Sequence, residues 1–150
     1  MTDNRHTVTS TLEFPYRRSL GTVVGGFVTG LKDHRILGIR NKNGDVLVPP
    51  SEYDPTTGDS LEGEFVEVGP GGEVTSWTWV PEPSSRHPLS QPFAFALIKL
   101  DGASTSLVHV VDVGDIAAMR TGMRVEPRWR EEPQGLITDI EAFVPEGAAQ

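Results

Sequence analysis

From residue 64 onward the chain alternates apolar and polar positions in short runs, the signature of strands with one buried face. The runs EFVEVG (64–69), EVTSWTWVP (73–81), FAFALIKL (93–100), SLVHVVDV (106–113), MRVEPRWRE (123–131) and LITDIEAFV (136–144) each predict a strand. In EVTSWTWVP the alternation sets Val74, Ser76, Thr78 and Val80 against Thr75, Trp77 and Trp79. A long loop, 82–92, follows the second run, and GDIAAMR (114–120) predicts a helical turn before the last two. About five strands so arranged predict a mainly β chain with a small, closed or nearly closed barrel of the OB type.

The N-terminal part reads differently. Residues 1–12 are polar, rich in Thr and without a period, and predict a tail or an arm that orders on a partner. Within GTVVGGFVTGL a short helix is expected over Val23–Leu31, although Gly25, Gly26 and Gly30 each cost about 1 kcal/mol there relative to Ala. RILGIR, the turn NKNG at 41–44 and DVLVPP form a β-hairpin closed by Asn-Gly and ended by two prolines. Turn residues fill 51–61. The expected organisation is a tail (1–12), an N-terminal segment with the hairpin (13–61), the barrel (62–145) and a second tail (146–150).

Charge and composition narrow the function. The 150 residues carry a net charge of −8 and no Cys. Such a balance disfavours binding a nucleic-acid backbone, where Lys and Arg must neutralise phosphates. The missing thiols exclude disulfides, thiolate chemistry and a sulfur-ligated zinc site. The apolar runs, such as Phe93–Ile98, are far shorter than the roughly 20 residues of a membrane span, and the first residues contain no apolar signal region, so a cytoplasmic location is expected.

Few side chains offer chemistry. His109 and Asp112 are three apart on a strand and therefore face opposite ways, which argues against shared acid–base work. Trp77, Trp79 and Trp129 suit core or interface packing better than ligand stacking. Arg120, Arg124, Arg128 and Arg130 form a basic cluster that either meets a ligand's phosphates or a partner's carboxylates, or protects a solvated strand edge. Tyr16, Arg17 and Arg18 beside Phe14 are candidate anchors for a partner surface. The glycines at 21, 25, 26 and 30 do not match a dinucleotide fingerprint, and no nucleophile elbow, phosphate loop or catalytic carboxylate pair is present. No catalytic residue is assigned.

FVTGLKDHRILGIR leading into the hairpin, VPP after it, EVTSWTWV, PFAFALIKLDG, and TGMRVEPRWRE before ITDIEAF occur in an order and spacing that resembles a bacterial and archaeal family of small proteins. Its members have a rubredoxin-like zinc ribbon followed by an OB fold, and the likeness spans roughly Pro15–Val144. The resemblance implies zinc-ligand positions at Arg40, Asn43, Asp54 and Thr57, none a thiolate, so the ribbon is degenerate and zinc is not expected. Structural zinc can supply on the order of 10 kcal/mol. Without it the hairpin is expected to rely on its Asn-Gly turn, on packing by Ile36, Ile39, Val46 and Val48, and on an Arg40–Asp54 ion pair.

The resemblance further implies a non-catalytic subunit of a hetero-oligomer that binds and supports a thiolase-like, acyl-CoA-handling enzyme. In that family such partners include ketoacyl-CoA thiolases, hydroxymethylglutaryl-CoA synthase and the retro-aldolases that shorten steroid side chains, and the resemblance makes the CoA thioester, with its phosphates, a candidate contact of the basic cluster within the complex. Two rival readings are a stand-alone OB-type binder of nucleic acid or another ligand, and a small acyl-CoA enzyme using His109.

Overall fold

The structure is a computed structural model and describes residues 6–148, so the ends of the two expected tails, 1–5 and 149–150, lie outside the described residues. Residues 6–20 form neither helix nor strand and are exposed throughout. The helix α1 spans Gly21–Lys32, slightly longer than the apolar pattern predicts. Val23, Phe27 and Leu31 recur every fourth residue and make its buried stripe. Its glycines are a packing requirement as well as a cost in propensity. A Cβ on Gly26 would come within 2.5 Å of the Phe65 ring, and one on Gly30 within 2.9 Å of Leu37 Cδ1.

Under α1 lies a three-stranded antiparallel sheet of β1 (Ile36–Arg40), β2 (Val46–Leu47) and β3 (Phe65–Val68), in the order β2-β1-β3. The hairpin of β1 and β2 is the one that the Asn-Gly turn predicts. The placement of β3 is a correction: the alternation at 64–69 assigns it to the barrel, whereas Ile36 pairs with Val68 and Ile39 with Phe65. Alternation identifies a strand but not the edge it joins, and β1 would otherwise expose one edge of unpaired N–H and C=O groups.

The strands β4 (Gly72–Val80), β5 (Phe93–Leu100), β6 (Leu107–Val111), β7 (Arg124–Trp129) and β8 (Ile140–Pro145) form a closed five-stranded barrel, order β4-β5-β6-β8-β7. Gly72 and Glu73 complete the ring by pairing with Val125 and Arg124. The expected helical turn is a 3-10 turn at Ile116–Ala118, capped by the Asp115 carboxylate, which accepts from Ala117 N at 2.7 Å. The last predicted strand starts later than its pattern implies, because Ile137–Asp139 is also a 3-10 turn.

One bulge changes which side chains face inward. Between Val74 and Ser76 the register with β5 shifts, leaving Thr75 as an extra residue. Val74 therefore shares its face with Trp77 and Trp79, which stand opposite Ala96 and Ala94, and not with Ser76 and Thr78 as strict alternation would have it. The small alanines leave room for both indoles, which pack half-buried against the barrel core.

A single buried cluster joins the two parts, running from Phe27 and Leu31 through Ile36, Val46, Val48 and Val68 to Val74, Ile98, Leu100, Val111 and Phe143. Burial of each large side chain of this kind contributes about 1.5–3 kcal/mol. Backbone bonds add a seam: Val48 N donates to Thr105 Oγ1 at 2.7 Å, Val46 N to Ser104 Oγ at 3.0 Å, and Ser104 N to the Val46 carbonyl at 2.8 Å. No helix among the described residues is long and apolar enough to cross a membrane.

Candidate functional site

The hairpin holds together through a residue the sequence reading passed over. Asn41 accepts at Oδ1 from the backbone N–H groups of Asn43 (3.0 Å) and Asp45 (2.8 Å), and its amide donates to Asp54 Oδ2 at 2.9 Å. Asp54 is buried and accepts at Oδ1 from Thr56 N (2.8 Å) and Thr57 N (3.2 Å). The Thr56 N–H and the Asn41 amide hold the Asp54 carboxyl below its ordinary range. An Asn opening an NKNG turn is the sequence signal for such a side-chain turn.

The expected Arg40–Asp54 pair is not formed. Arg40, at the exposed end of β1, donates to the Gly44 carbonyl at 3.0 Å and lies 3.6 Å from Glu64. Arg40 finds Glu64 and the Gly44 carbonyl at the strand end, whereas Asp54 is already satisfied by neutral donors. Of the four positions implied for zinc, Asn43 and Thr57 contribute only backbone N–H groups to these bonds. Among the described residues no group of three or more His, Cys, Asp or Glu side chains is arranged to hold a metal ion.

The basic cluster does not make one open face. Arg124 meets Asp101 in a two-pronged pair, 2.7 and 2.6 Å, and Glu146 at 3.2 Å. Arg128 bridges Asp112 at 3.0 Å and Glu141 at 3.3 Å. Each guanidinium thus faces two carboxylates of its own chain, which leaves less positive potential for a phosphate. Arg130 is half-buried, close enough to Asp139 to help ionise it, and Arg120 is exposed after the first 3-10 turn. Trp129 stacks on His34 with ring centres 4.9 Å apart and planes 14° apart. His34 adopts a left-handed φ of 57° just past α1, a conformation more often taken by Gly, and the stack gives that imidazole a fixed neighbour on the barrel.

His109 and Asp112 do not meet, as their spacing predicts. His109 sits in β6 opposite Ala96, with its ring edge-on to Phe143 at 5.4 Å. Its Nε2 lies 3.3 Å from the Ile137 carbonyl, an acceptor, so Nε2 carries the proton in the neutral ring. Burial pushes the imidazole below its usual 6.5, and the carbonyls of Ile137 and Val110 offset this only partly.

A pH dependence follows. The unfolded chain binds this proton more readily than the folded one, so stability is full above about pH 6.5 and declines as the pH falls below it. Asp54, Asp101 and Asp139, all held below 3.8, give up their contributions only at much lower pH. Urea midpoints measured at pH 7 and pH 5 should therefore show a loss that His109→Gln reduces. An unchanged slope in that variant would refute the assignment.

The carbonyl that holds His109 is itself placed by Asp139, which has no exposed surface. Asp139 accepts from Gln134 N (2.8 Å), Gly135 N (2.7 Å) and Leu136 N (3.1 Å). Burial raises its carboxyl, but those N–H groups and the nearby Arg130 outweigh burial and keep it ionised. Tyr16, Arg17 and Arg18 lie on the exposed segment before α1, with Tyr16 83% and Phe14 75% exposed. The structure thus separates the predicted residues into an exposed arm, core-packed indoles, the internally paired Arg124 and Arg128, a half-buried Arg130 and an exposed Arg120.

Comparison with known proteins agrees with this architecture. Residues 65–130 match the family model described as "ChsH2, C-terminal OB-fold domain". A DUF35 domain-containing scaffold protein of Pyrococcus furiosus is 31% identical over 93 residues, covering 62% of this chain and 67% of that protein. Among solved structures, a DUF35-family protein of unknown function from Sulfolobus solfataricus superposes with a TM-score of 0.58 at 24% identity, over 71% of this chain and 78% of the other. A chain of the Ltp2-ChsH2(DUF35) aldolase superposes with a TM-score of 0.63 at 23% identity, over 86% of this chain and 98% of that one. The chain belongs to the OB-fold DUF35 family.

Proposed function

We propose that this protein is a non-catalytic subunit that binds and supports a thiolase-like, acyl-CoA-handling enzyme, of the kind that forms an aldolase with a ChsH2-type partner. The observation that carries the reading is the exposed arm. Val8, Leu12, Phe14, Tyr16 and Leu20, on a segment that forms neither helix nor strand, are 51–86% exposed, and Arg17 and Arg18 lie among them. Large apolar and Arg side chains held in water at such density suit burial against another protein.

The likeness to a scaffold protein and to the subunit of an aldolase supports the same reading, as does the internal pairing of the groups that might otherwise react. Within the complex, the half-buried Trp77, Trp79 and Trp129 stabilise the barrel, while the arm provides the anchors. Arg120, exposed in the loop before β7 and without an ion pair among the described residues, is a basic side chain we assign to a partner carboxylate or a CoA phosphate.

Co-expression with a thiolase-like partner is expected to yield a stable hetero-oligomer with higher aldolase or thiolase activity than either chain alone. The double variant Phe14→Ala/Tyr16→Ala should fold normally and bind that partner at least about tenfold more weakly, as truncated anchors do. Thioester turnover by the isolated chain, or failure to associate with any such enzyme, would overturn the proposal.

A further inference from the structure

The barrel closes through a short junction. β4 pairs with β7 only at Gly72 and Glu73, and Val74 ends the contact, donating to the Met123 carbonyl at 3.0 Å and accepting from Gly122 N at 2.7 Å. The bulge at Thr75 then bends β4, while β5 stays paired with it as far as Val80. Every second residue of a strand turns its N–H and C=O to the same side, so from Thr75 to Trp79 one edge of β4 carries main-chain groups that β5 does not reach. Among the described residues, no loop backbone bonds to that edge, and the one side-chain bond of the stretch, Thr75 Oγ1 to the Leu97 carbonyl at 3.2 Å, runs towards β5.

Exposed edges are ordinarily protected by charge, by proline or by a covering segment. β7 follows that rule over the stretch where it leaves β4, with Glu126, Pro127 and Arg128, and β3 carries Glu67. The β4 stretch TSWTW (75–79) has neither charge nor proline, and Ser76 and Thr78 are exposed on the outer face. Of the helices and strands, β5 and β7 pack most closely on β4. A row of alternating donors and acceptors is satisfied in full by another extended backbone.

We propose that this edge is a homodimer interface, in which the β4 strands of two copies pair antiparallel about a two-fold axis at Trp77 and join the barrels through one continuous sheet. The stretch is complementary to itself in that register. Ser76 of each copy stands opposite Thr78 of the other, a pairing of small hydroxyls that suits an antiparallel ladder. A chain of net charge −8 repels its own copies over most of its surface, whereas 75–79 opposes no like charges, and Glu73 and Glu82 fall outside it. An isologous contact of this kind uses up both edges and closes at two copies. It does not rest on the proposed partner enzyme, whose contact is assigned to the arm, so Phe14→Ala/Tyr16→Ala should leave the dimer intact.

Sedimentation velocity of the full chain alone, from about 5 μM to about 500 μM, should show monomer converting to dimer. Hydrogen exchange at alternate amides of 75–79 should slow as the dimer forms, and exchange in β7 should not change. Ser76→Lys/Thr78→Lys sets like charges directly opposite each other at both pairs and should weaken the dimer about tenfold, as should Ser76→Glu/Thr78→Glu. Mixing these two variants should restore association, since each Lys then meets a Glu. A chain that stays monomeric throughout this range would overturn the proposal. So would a dimer that the charged variants leave unchanged, or one that leaves the 75–79 amides unprotected. Protection of those amides only after a thiolase-like enzyme is added would overturn it as well, and would assign the edge to a strand of that enzyme.

Discussion

Asp139→Asn is expected to lower the unfolding free energy by roughly 2–4 kcal/mol, a drop in thermal midpoint of about 10 °C for a chain of this length. The carboxylate is fully buried and accepts from three consecutive backbone N–H groups, Gln134 to Leu136. An Asn of the same shape retains one acceptor oxygen and turns an NH2 towards at least one of those donors. The result is a buried donor facing a donor, with desolvation unrecovered on both sides.

The loss should also reach the barrel seam. The turn that Asp139 organises contains Ile137, whose carbonyl holds His109 Nε2. Hydrogen exchange in Asp139→Asn should therefore rise first at residues 134–139 and at His109. A midpoint within about 2 °C of the parent chain would show that this carboxylate is not the organising group.

Gly72→Ala is the second large effect, expected at roughly 3 kcal/mol, the upper end for an inserted methyl. A Cβ there would lie 2.7 Å from the Lys99 carbonyl oxygen, 2.9 Å from Leu100 Cα and 3.1 Å from Ile98 Cγ2. Two of these are backbone atoms of β5, so no rotamer change relieves the contact. Gly72 pairs with Leu100 on one side and Val125 on the other, so pushing β4 away opens the barrel where it closes.

Gly25→Ala is the matching control. Its Cβ would meet nothing within 4 Å on a helix, and the change should stabilise by about 0.5–1 kcal/mol. Thermal midpoints of the two variants moving in opposite directions would separate steric closure from a general effect of removing glycine. If Gly72→Ala is neutral, the barrel can relax at this junction and the closure argument fails.

Local signals recovered much of the architecture. Asn-Gly marked the hairpin because a tight turn needs residues that tolerate positive φ, and Gly44 indeed has φ of 89°. The strands of the barrel followed from period-two patterns that any half-buried strand must show. Strand parity argues against shared acid–base work by His109 and Asp112, and the two side chains stay apart.

What alternation missed was relational. It could not tell that β3 belongs with β1, because edge pairing depends on which strand is unpartnered in space. A bulge at Thr75 reversed the inner and outer faces of half of β4, and the indoles at 77 and 79 went to the core with Val74. The arginines looked like an open basic surface, since their carboxylate partners are 13–23 positions away in sequence.

By itself the sequence determined the mainly β character, the hairpin and the order of the elements, and it pointed to their family likeness. These depend on residue types at fixed short spacing, where backbone sterics and side-chain period act directly. Only the tertiary structure decided which charges neutralise each other, which N–H groups Asp139 collects and that the His109 ring is buried edge-on to Phe143. Those outcomes depend on distances between segments far apart along the chain, and no local pattern of residues encodes them.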